Sequence, residues 1–154
     1  MKIGVISDTH GYLDPRVQTI FTGVDHILHA GDIGYASIII ELGLIAPVTA
    51  VLGNCDDNIG YRITETVEVA RRKFLVHHIV NPWAQSEMLE GRIAKEKPDV
   101  VVFGHTHQKF AETINNILFI NPGYAGKPKT GVVRSVAILH LDGEKIRPEF
   151  FVLS

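Results

Sequence analysis

The stretch Lys2–His10 reads KIGVISDTH, a continuous apolar run that passes directly into aspartate, threonine and histidine. Consecutive apolar residues are typical of a strand buried on both faces, as in a parallel sheet covered by helices. The pattern predicts a first strand over Lys2–Ser7, with Asp8 and His10 at its carboxyl end. Open α/β sheets bind their ligands at that end of the strands.

Other apolar runs along the chain also end in polar residues. The groups that follow them are Gly31-Asp32, Gly53-Asn54 and Gly104-His105-Thr106-His107. His77-His78 lies between the last two of these groups. Any one of these groups could be an ordinary turn or helix cap. His105 and His107, however, are alternate residues whose imidazoles can face one site. Together, four clusters of carboxylate, imidazole and amide groups at strand ends indicate a metal site.

The remaining chain alternates strands and helices at first and is rich in strands at the end. Helices are predicted from Asp14-Pro15, over Ala36–Leu44 and over Gln85–Lys95. Further strands are predicted over Asp25–Ala30, Pro47–Leu52, Ile63–Val69, Lys73–Val80, Val100–Phe103, Phe110–Ile114, Ile117–Ile120, Val132–Leu141 and Ile146–Val152. Strand–helix–strand units followed by hairpins predict an α/β fold. We expect one domain over residues 1–154, a four-layer α/β/β/α sandwich of two mixed sheets with helices outside.

Composition and charge narrow the classes of partner. Lys plus Arg is 15 and Asp plus Glu is 17, so there is no basic excess to indicate a nucleic-acid or membrane surface. No apolar run approaches the ~20 residues of a membrane span. The first strand is interrupted by Asp8 too soon for a signal peptide, and Cys55 is the one cysteine in the chain. These features predict a cytoplasmic protein.

The order of the polar clusters resembles the calcineurin-like metallophosphoesterase superfamily. Its blocks run Asp-x-His, Gly-Asp, Gly-Asn-x-Asp, a strand-end histidine and Gly-His-Thr-His, and they cover nearly the whole chain. Gly53-Asn54-Cys55-Asp56, Asn121-Pro122-Gly123 and the short length resemble the small bacterial and archaeal phosphodiesterases, whose fold a retromer subunit shares. The resemblance implies a metal-dependent phosphodiesterase that cleaves a small phosphate ester by in-line attack of a metal-bound hydroxide.

The resemblance also implies the ligands of two divalent ions. One ion would be held by Asp8, His10, Asp32 and His107, and the other by Asp32, Asn54, His77 and His105. Asp32 would bridge the ions and act in catalysis together with Asn54, His77 and His105. Nitrogen and oxygen donors without thiolate suit manganese, our first expectation, and also nickel, cobalt, iron or zinc.

Some positions depart from the family pattern. The family has His-Gly where this chain has His77-His78, and we take His77 as the ligand because it shares a strand face with Leu75. His78 would then contact substrate or cap the strand. Many members have a histidine at the position of Cys55, which we place in the substrate site.

Other residues near the motifs have two interpretations each. Tyr124 stands where relatives often have serine. Lys127 and Lys129 could contact the substrate phosphate or remain solvated, and Trp83 could border the site or fill a gap between helix and sheet, which we favour. Three histidines, His26, His29 and His140, are expected to be structural.

Two alternatives to a phosphodiesterase remain. The same metals would support a phosphomonoesterase, and a chain that had lost its metals could serve as a retromer-like scaffold. All seven predicted ligand positions carry side chains able to bind metal, which favours the enzyme. The oligomeric state, including a homo-oligomer, is left open.

Overall fold

The computed structural model of the protein describes residues 1–153. Its strands are β1 (Lys2–Ile6), β2 (His26–His29), β3 (Val48–Ala50), β4 (Thr64–Val69), β5 (Arg72–His77), β6 (Val100–Val102), β7 (Phe110–Ile114), β8 (Ile117–Asn121), β9 (Ser135–Asp142) and β10 (Lys145–Val152). Its helices are α1 (Pro15–Ile20), α2 (Ala36–Gly43) and α3 (Glu87–Glu96).

The strands of residues 1–153 form two five-stranded sheets. One has the order β10-β9-β1-β2-β3 and the other the order β4-β5-β6-β8-β7. In the first sheet β1, β2 and β3 are parallel, while β9 and β10 extend it in antiparallel fashion. In the second sheet β5, β6 and β8 are parallel and both edge strands are antiparallel. Both sheets are therefore mixed, which confirms the predicted fold class.

The two sheets pack face to face. Val5 and Leu28 of the first sheet and Val76 and Val102 of the second belong to one cluster of fully buried side chains. Ile6 points the other way, into a second cluster that the helices cover. β1 is thus buried on both faces, as its unbroken apolar sequence predicted.

Helices cover the outer faces of both sheets. Val17 of α1 and Leu42 of α2 pack in the cluster beneath the first sheet, and Leu89 of α3 packs with Leu75 and Phe119 of the second. The layers follow the predicted order of helix, sheet, sheet and helix. No helix within residues 1–153 is both long enough and apolar enough to cross a bilayer.

The first helix begins where the sequence indicated. The carboxylate of Asp14 caps α1 by accepting a hydrogen bond of 2.9 Å from the amide of Arg16. It also accepts one of 2.8 Å from the guanidinium of Arg134, next to β9. The guanidinium of Arg16 donates two more hydrogen bonds to this carboxylate, of 3.0 and 2.8 Å. These side-chain contacts are the main reason that the pKa of Asp14 lies well below its usual range, and the Arg16 amide and Arg134 add to the effect. The cap therefore also fixes α1 to the sheet below it.

Tight turns connect the antiparallel strand pairs β4–β5, β7–β8 and β9–β10. Asn115 and Asn116 have φ of 52° and 65°, the conformation expected of a two-residue turn, and Gly143 has φ of 61°. Ala70 and Arg71 form a similar turn with φ of 52° and 63°. Neither of these two side chains favours positive φ, so the sequence did not predict this turn.

Three expectations are corrected. β5 ends at His77 rather than Val80, and β9 begins at Ser135 rather than Val132. Trp83 does not fill a gap under a helix, because 66% of its surface is exposed and its ring meets Phe110 edge-on at 6.4 Å. The part of this loop around Trp83 is thus at the surface, whereas His78 and Val80 are buried.

Candidate metal centre

The carboxyl ends of strands from both sheets meet at one rim of the molecule. The loops there are joined by backbone hydrogen bonds, of 3.0 Å from the amide of Asp8 to the carbonyl of Gly31 and of 2.9 Å from His10 to Asp32. A third, of 3.0 Å from Gly104 to His78, joins the two loops of the second sheet. The polar clusters that are distant in sequence therefore converge, as their strand-end positions predicted.

Two buried carboxylates lie at the centre of the rim. Asp8 is fully buried and Asp32 is 3% exposed. Oδ2 of Asp8 accepts hydrogen bonds from the Ser7 hydroxyl at 2.7 Å and the His105 amide at 3.1 Å, and Oδ1 of Asp32 accepts one from the Cys55 amide at 2.8 Å. Burial raises the pKa of Asp8, against the effect of the Ser7 hydrogen bond. Each carboxylate thus has one oxygen fixed by the protein and the other turned towards the histidines.

His10 and His107 lie on one side of these carboxylates. The Nε2 of His107 is 3.4 Å from Oδ1 of Asp8, and the Nε2 of His10 is 3.8 Å from the same oxygen and 3.7 Å from Oδ2 of Asp32. Partial burial lowers the pKa of His107, against the attraction of Asp8. Donor atoms of Asp8, His10 and His107 lie within 4.8 Å of one another, close enough to share one metal ion.

His78 lies on the other side, deeper in the protein. Its Nε2 is 3.2 Å from Oδ2 of Asp32 and 3.8 Å from Oδ1 of Asp8. Its Nδ1 is 2.7 Å from the carbonyl oxygen of Ala30, which can only accept a hydrogen bond. Nδ1 therefore carries a proton, and Nε2 is the ring atom that faces the two carboxylates.

This arrangement of acceptors fits a metal cation. Among residues 1–153, both Nε2 of His78 and Oδ1 of Asp8 are buried without a hydrogen-bond partner. Buried polar atoms are nearly always paired, and unpaired ones cost free energy. A divalent cation coordinated by these atoms would satisfy both, so the residues present suit the group.

The structure corrects the expectation that His77 faces this centre. Its Nδ1 lies 2.8 Å from the hydroxyl of Thr64 on the neighbouring strand, and burial lowers its pKa. His77 and Leu75 do share a strand face, but Leu75 packs in the cluster with Leu89 of α3. That face looks away from Asp8 and Asp32, and His78 occupies the position that we had assigned to His77.

Asn54 and His105 form the exposed part of the cluster. The amide oxygen of Asn54 is 3.1 Å from Nδ1 of His105, and the rings of His105 and His78 meet edge-on at 5.3 Å. Both residues therefore lie at the open side of the cluster.

A sulfur atom also belongs to the cluster. Donor atoms of Cys55, His10 and Asp32 lie within 4.8 Å of one another, and Nδ2 of Asn54 is 3.6 Å from the Cys55 sulfur. Burial and the nearby Asp32 raise the pKa of the thiol. From the sequence we expected only nitrogen and oxygen ligands and placed Cys55 in the substrate site, so its sulfur was not among the predicted metal donors.

Glycine permits the close approach of the loops at two positions. A Cβ atom on Gly53 would collide with the carboxylate and amide of Asp32. One on Gly104 would collide with the hydroxyl of Ser7 and would lie 2.6 Å from Oδ2 of Asp8. In both motifs the glycine before the candidate ligand is thus required by packing.

The backbone itself is unusual at five residues of the cluster. Positive φ is found at Asp8 (57°), His10 (45°), Asp32 (53°), His105 (73°) and His107 (61°). This region is uncommon outside glycine, although aspartate and histidine enter it more readily than most residues. The surrounding hydrogen bonds must therefore hold these residues in place.

Two residues that support the loops were not singled out from the sequence. The carboxylate of Asp56 accepts hydrogen bonds of 2.8–3.1 Å from the amides of Gly53, Ile33 and Gly34, and so joins two of the loops. The side-chain amide of Asn121 donates to the carbonyl of Gly104 at 3.1 Å. Both belong to motifs that had been noted, but their partners lie far away in sequence.

His29 also supports the loops of the centre through its hydrogen bonds. It is fully buried, its Nδ1 accepts a hydrogen bond of 3.1 Å from the amide of Gly31, and its Nε2 lies 3.0 Å from the hydroxyl of Thr9. Burial lowers the pKa of His29 to about 3. His26 and His140 bond to Thr49 and Glu149, so the three histidines have the structural roles expected.

Tyr124 lies beside the cluster. Its ring is 4.8 Å from the ring of His107, and the ammonium group of Lys129 is 5.7 Å from its centroid. Lys127 is exposed in the same segment. Lys129 thus lies close to the centre.

Comparison with known proteins agrees with this geometry. The sequence model of the calcineurin-like phosphoesterase superfamily domain matches residues 1–144. This chain belongs to that superfamily. A probable metallophosphoesterase of Methanothermobacter thermautotrophicus is 35% identical over 97% of the chain and 91% of its own length. A phosphodiesterase of Methanocaldococcus jannaschii is 30% identical over 96% of the chain and 97% of its own length.

A solved structure supports the fold. A single mutant of Vps29 from Entamoeba histolytica superposes with a TM-score of 0.77 over the whole of both chains at 20% identity. Membership of the superfamily makes this chain a metal-dependent phosphoesterase that uses divalent ions, and the clustered histidines and carboxylates are candidate ligands.

Proposed function

We propose that this phosphoesterase holds two divalent ions and hydrolyses phosphodiesters. The observation that carries the proposal is the position of Asp32, whose Oδ2 lies between Nε2 of His10 at 3.7 Å and Nε2 of His78 at 3.2 Å. A carboxylate can span two ions, whereas an imidazole cannot. The first ion would be held by Asp8, His10, Asp32 and His107, and the second by Asp32, Asn54, His78 and His105.

The charge of such a centre suits an anionic substrate. Two divalent cations exceed the charge of the two carboxylates, so the centre would keep a net positive charge. When bound, the ions would supply acidity to a coordinated water and positive charge to a phosphoryl group in its transition state.

Backbone groups of the protein orient these ligands. The Ala30 carbonyl fixes the ring of His78, and the amides of Cys55 and His105 fix Asp32 and Asp8. Such hydrogen bonds hold metal ligands in one orientation. Asn54 and His105 lie at the open side, where they can contact the phosphoryl oxygens of a bound substrate.

Cys55 determines which leaving groups we expect, and the charge of the substrate determines the expected preference for diesters. This residue stands where a histidine could protonate the leaving oxygen, and burial raises the pKa of its thiol. A thiol is a weak hydrogen-bond donor compared with an imidazolium. We therefore expect the fastest turnover for esters with acidic leaving groups. A diester also carries one negative charge, so it would bind the cations less tightly than a monoester dianion and be released more readily.

Manganese is our first candidate metal. Imidazole and carboxylate donors also suit nickel, cobalt, iron and zinc, and the nearby Cys55 sulfur favours the softer of these ions. We further propose that the protein acts on a small phosphate ester in the cytoplasm.

Metal reconstitution tests the proposal. The protein is stripped with a chelator, reloaded with Mn, Ni, Co, Zn or Mg in turn, and assayed on bis-p-nitrophenyl phosphate and p-nitrophenyl phosphate. We expect two bound ions and a higher kcat/KM for the diester. A higher value for the monoester would identify a phosphomonoesterase, and a lack of hydrolysis with every metal would identify a scaffold.

A further inference from the structure

A cavity of about 520 Å³ opens beside the metal centre. Residues 106–109 line one side and residues 131–133 the other. His107 belongs both to this lining and to the cluster, because its Nε2 is 3.4 Å from Oδ1 of Asp8. The volume is in the range of small-molecule binding sites. A group bound there would therefore lie next to His107 of the centre.

Both sides of the cavity are held in place by buried residues. The amide of Asn121, which is fully buried, donates a hydrogen bond of 3.0 Å to the hydroxyl of Thr106. The guanidinium of Arg134, which is 6% exposed, donates to the carbonyls of Gly126 at 2.7 Å and Leu153 at 2.9 Å. The cavity is thus formed before any ligand binds, which reduces the entropic cost of binding.

The lining combines an apolar wall with a positive charge. Val132 and Val133 form the apolar wall, and 60% of the Val133 surface is exposed. Lys109 is part of the opposite side, and its ammonium group lies 5.7 Å from the centroid of the Phe150 ring. Among the described residues that line the cavity, none is an aspartate or glutamate. An organic group with an anionic substituent would match these surfaces.

We infer that this cavity binds one organic group of the diester, and that Lys109 selects substrates in which this group carries a further anionic substituent. A nucleoside phosphate is one such group. The inference rests on the proposed phosphodiesterase function and adds to it a substrate class and a specificity-determining residue.

Three p-nitrophenyl diesters with the same leaving group test the inference on the metal-loaded protein. They are methyl p-nitrophenyl phosphate, the p-nitrophenyl ester of thymidine 5′-phosphate, and the same ester with a 3′-phosphate. We expect kcat/KM to rise in that order. Lys109→Ala should lower kcat/KM about tenfold for the third substrate, which is the effect of one hydrogen bond to a charged group. It should change kcat/KM little for the first substrate.

Lys127→Ala is the matched control, because Lys127 is an exposed lysine of the segment that leads to residues 131–133. It should leave the ratio between substrates unchanged. A second measurement needs no variant: thymidine 3′,5′-bisphosphate should inhibit cleavage of the methyl ester more strongly than thymidine 5′-phosphate does.

Equal kcat/KM for the three esters, or equal losses in Lys109→Ala and Lys127→Ala, would overturn the inference and leave the proposed function intact. A lack of hydrolysis of all three esters would overturn both.

Discussion

The Nε2 of His78 lies 3.2 Å from Oδ2 of Asp32, whereas the neighbouring His77 turns its ring to Thr64. Adjacent histidines thus occupy different environments, one at the centre of the rim and one on the face of the sheet that α3 covers. Because the two side chains are chemically identical, each serves as a control for the other.

His78→Ala should lose at least one bound metal ion and lower kcat by about 10²-fold or more, because it removes a buried donor from the centre. His77→Ala should keep its metal and cost about 1 kcal/mol of stability through the lost hydrogen bond to Thr64. Elemental analysis and urea denaturation measure the two effects. Loss of metal in His77→Ala alone would restore the assignment made from the sequence.

Asp32→Ala should remove or disorder both ions and abolish hydrolysis, because its carboxylate is the group that lies between His10 and His78. His10→Ala should mainly weaken the first ion, and Asn54→Ala the second. Metal content per chain is the measurement, with the exposed Asp57→Ala as control. Two tightly held ions in Asp32→Ala would show that this residue is not the bridge.

Cys55→Ala should keep most of the activity on an aryl diester, because such a leaving group departs without protonation. Cys55→His should increase the turnover of diesters with alkyl leaving groups, since an imidazolium can donate the proton that they need. Steady-state kinetics on both substrate types measure this. If Cys55→Ala loses activity by orders of magnitude while both metals stay bound, the thiol has a direct catalytic role.

The stability of the metal-free protein should fall on acidification through His29. Its pKa is about 3 when folded, below the ordinary 6.5, so the unfolded chain binds a proton that the folded chain does not. The contribution of neutral His29 to the free energy of unfolding is complete above pH 6.5. It is lost between pH 6.5 and about 3, by about 1.4 kcal/mol per pH unit. The stability difference between wild type and His29→Asn, measured by urea denaturation, should therefore shrink below pH 6.5. A difference independent of pH would contradict a buried neutral His29.

Much of the fold follows from simple patterns in the chain. β7 was predicted with the bounds it has, Phe110–Ile114, and most other elements differ by one to three residues. Burial of whole strands leaves a strong signal, because every position in a strand such as β1 must be apolar. The convergence of the metal-binding groups followed from the rule that parallel strands end at one edge.

The exchange of His77 for His78 shows where such patterns fail. Alternation identifies which residues share a strand face, but it does not say which face looks towards the rim. It also stops at the strand end, and His78 lies beyond the last residue of β5. Residues such as Asp56 act through contacts between loops, and the cavity beside His107 joins residues 106–109 to 131–133. No local pattern encodes these contacts.

The positive φ angles at five residues of the metal centre have a consequence for protein engineering. Each non-glycine residue in that region costs roughly 1 kcal/mol, so replacing Asp8 or His107 with glycine would relieve the backbone. A search for thermostable variants that scored folding alone would therefore find attractive substitutions at the candidate metal ligands. The same residues would thus affect both metal binding and stability, so a selection for stability must be combined with an assay for activity.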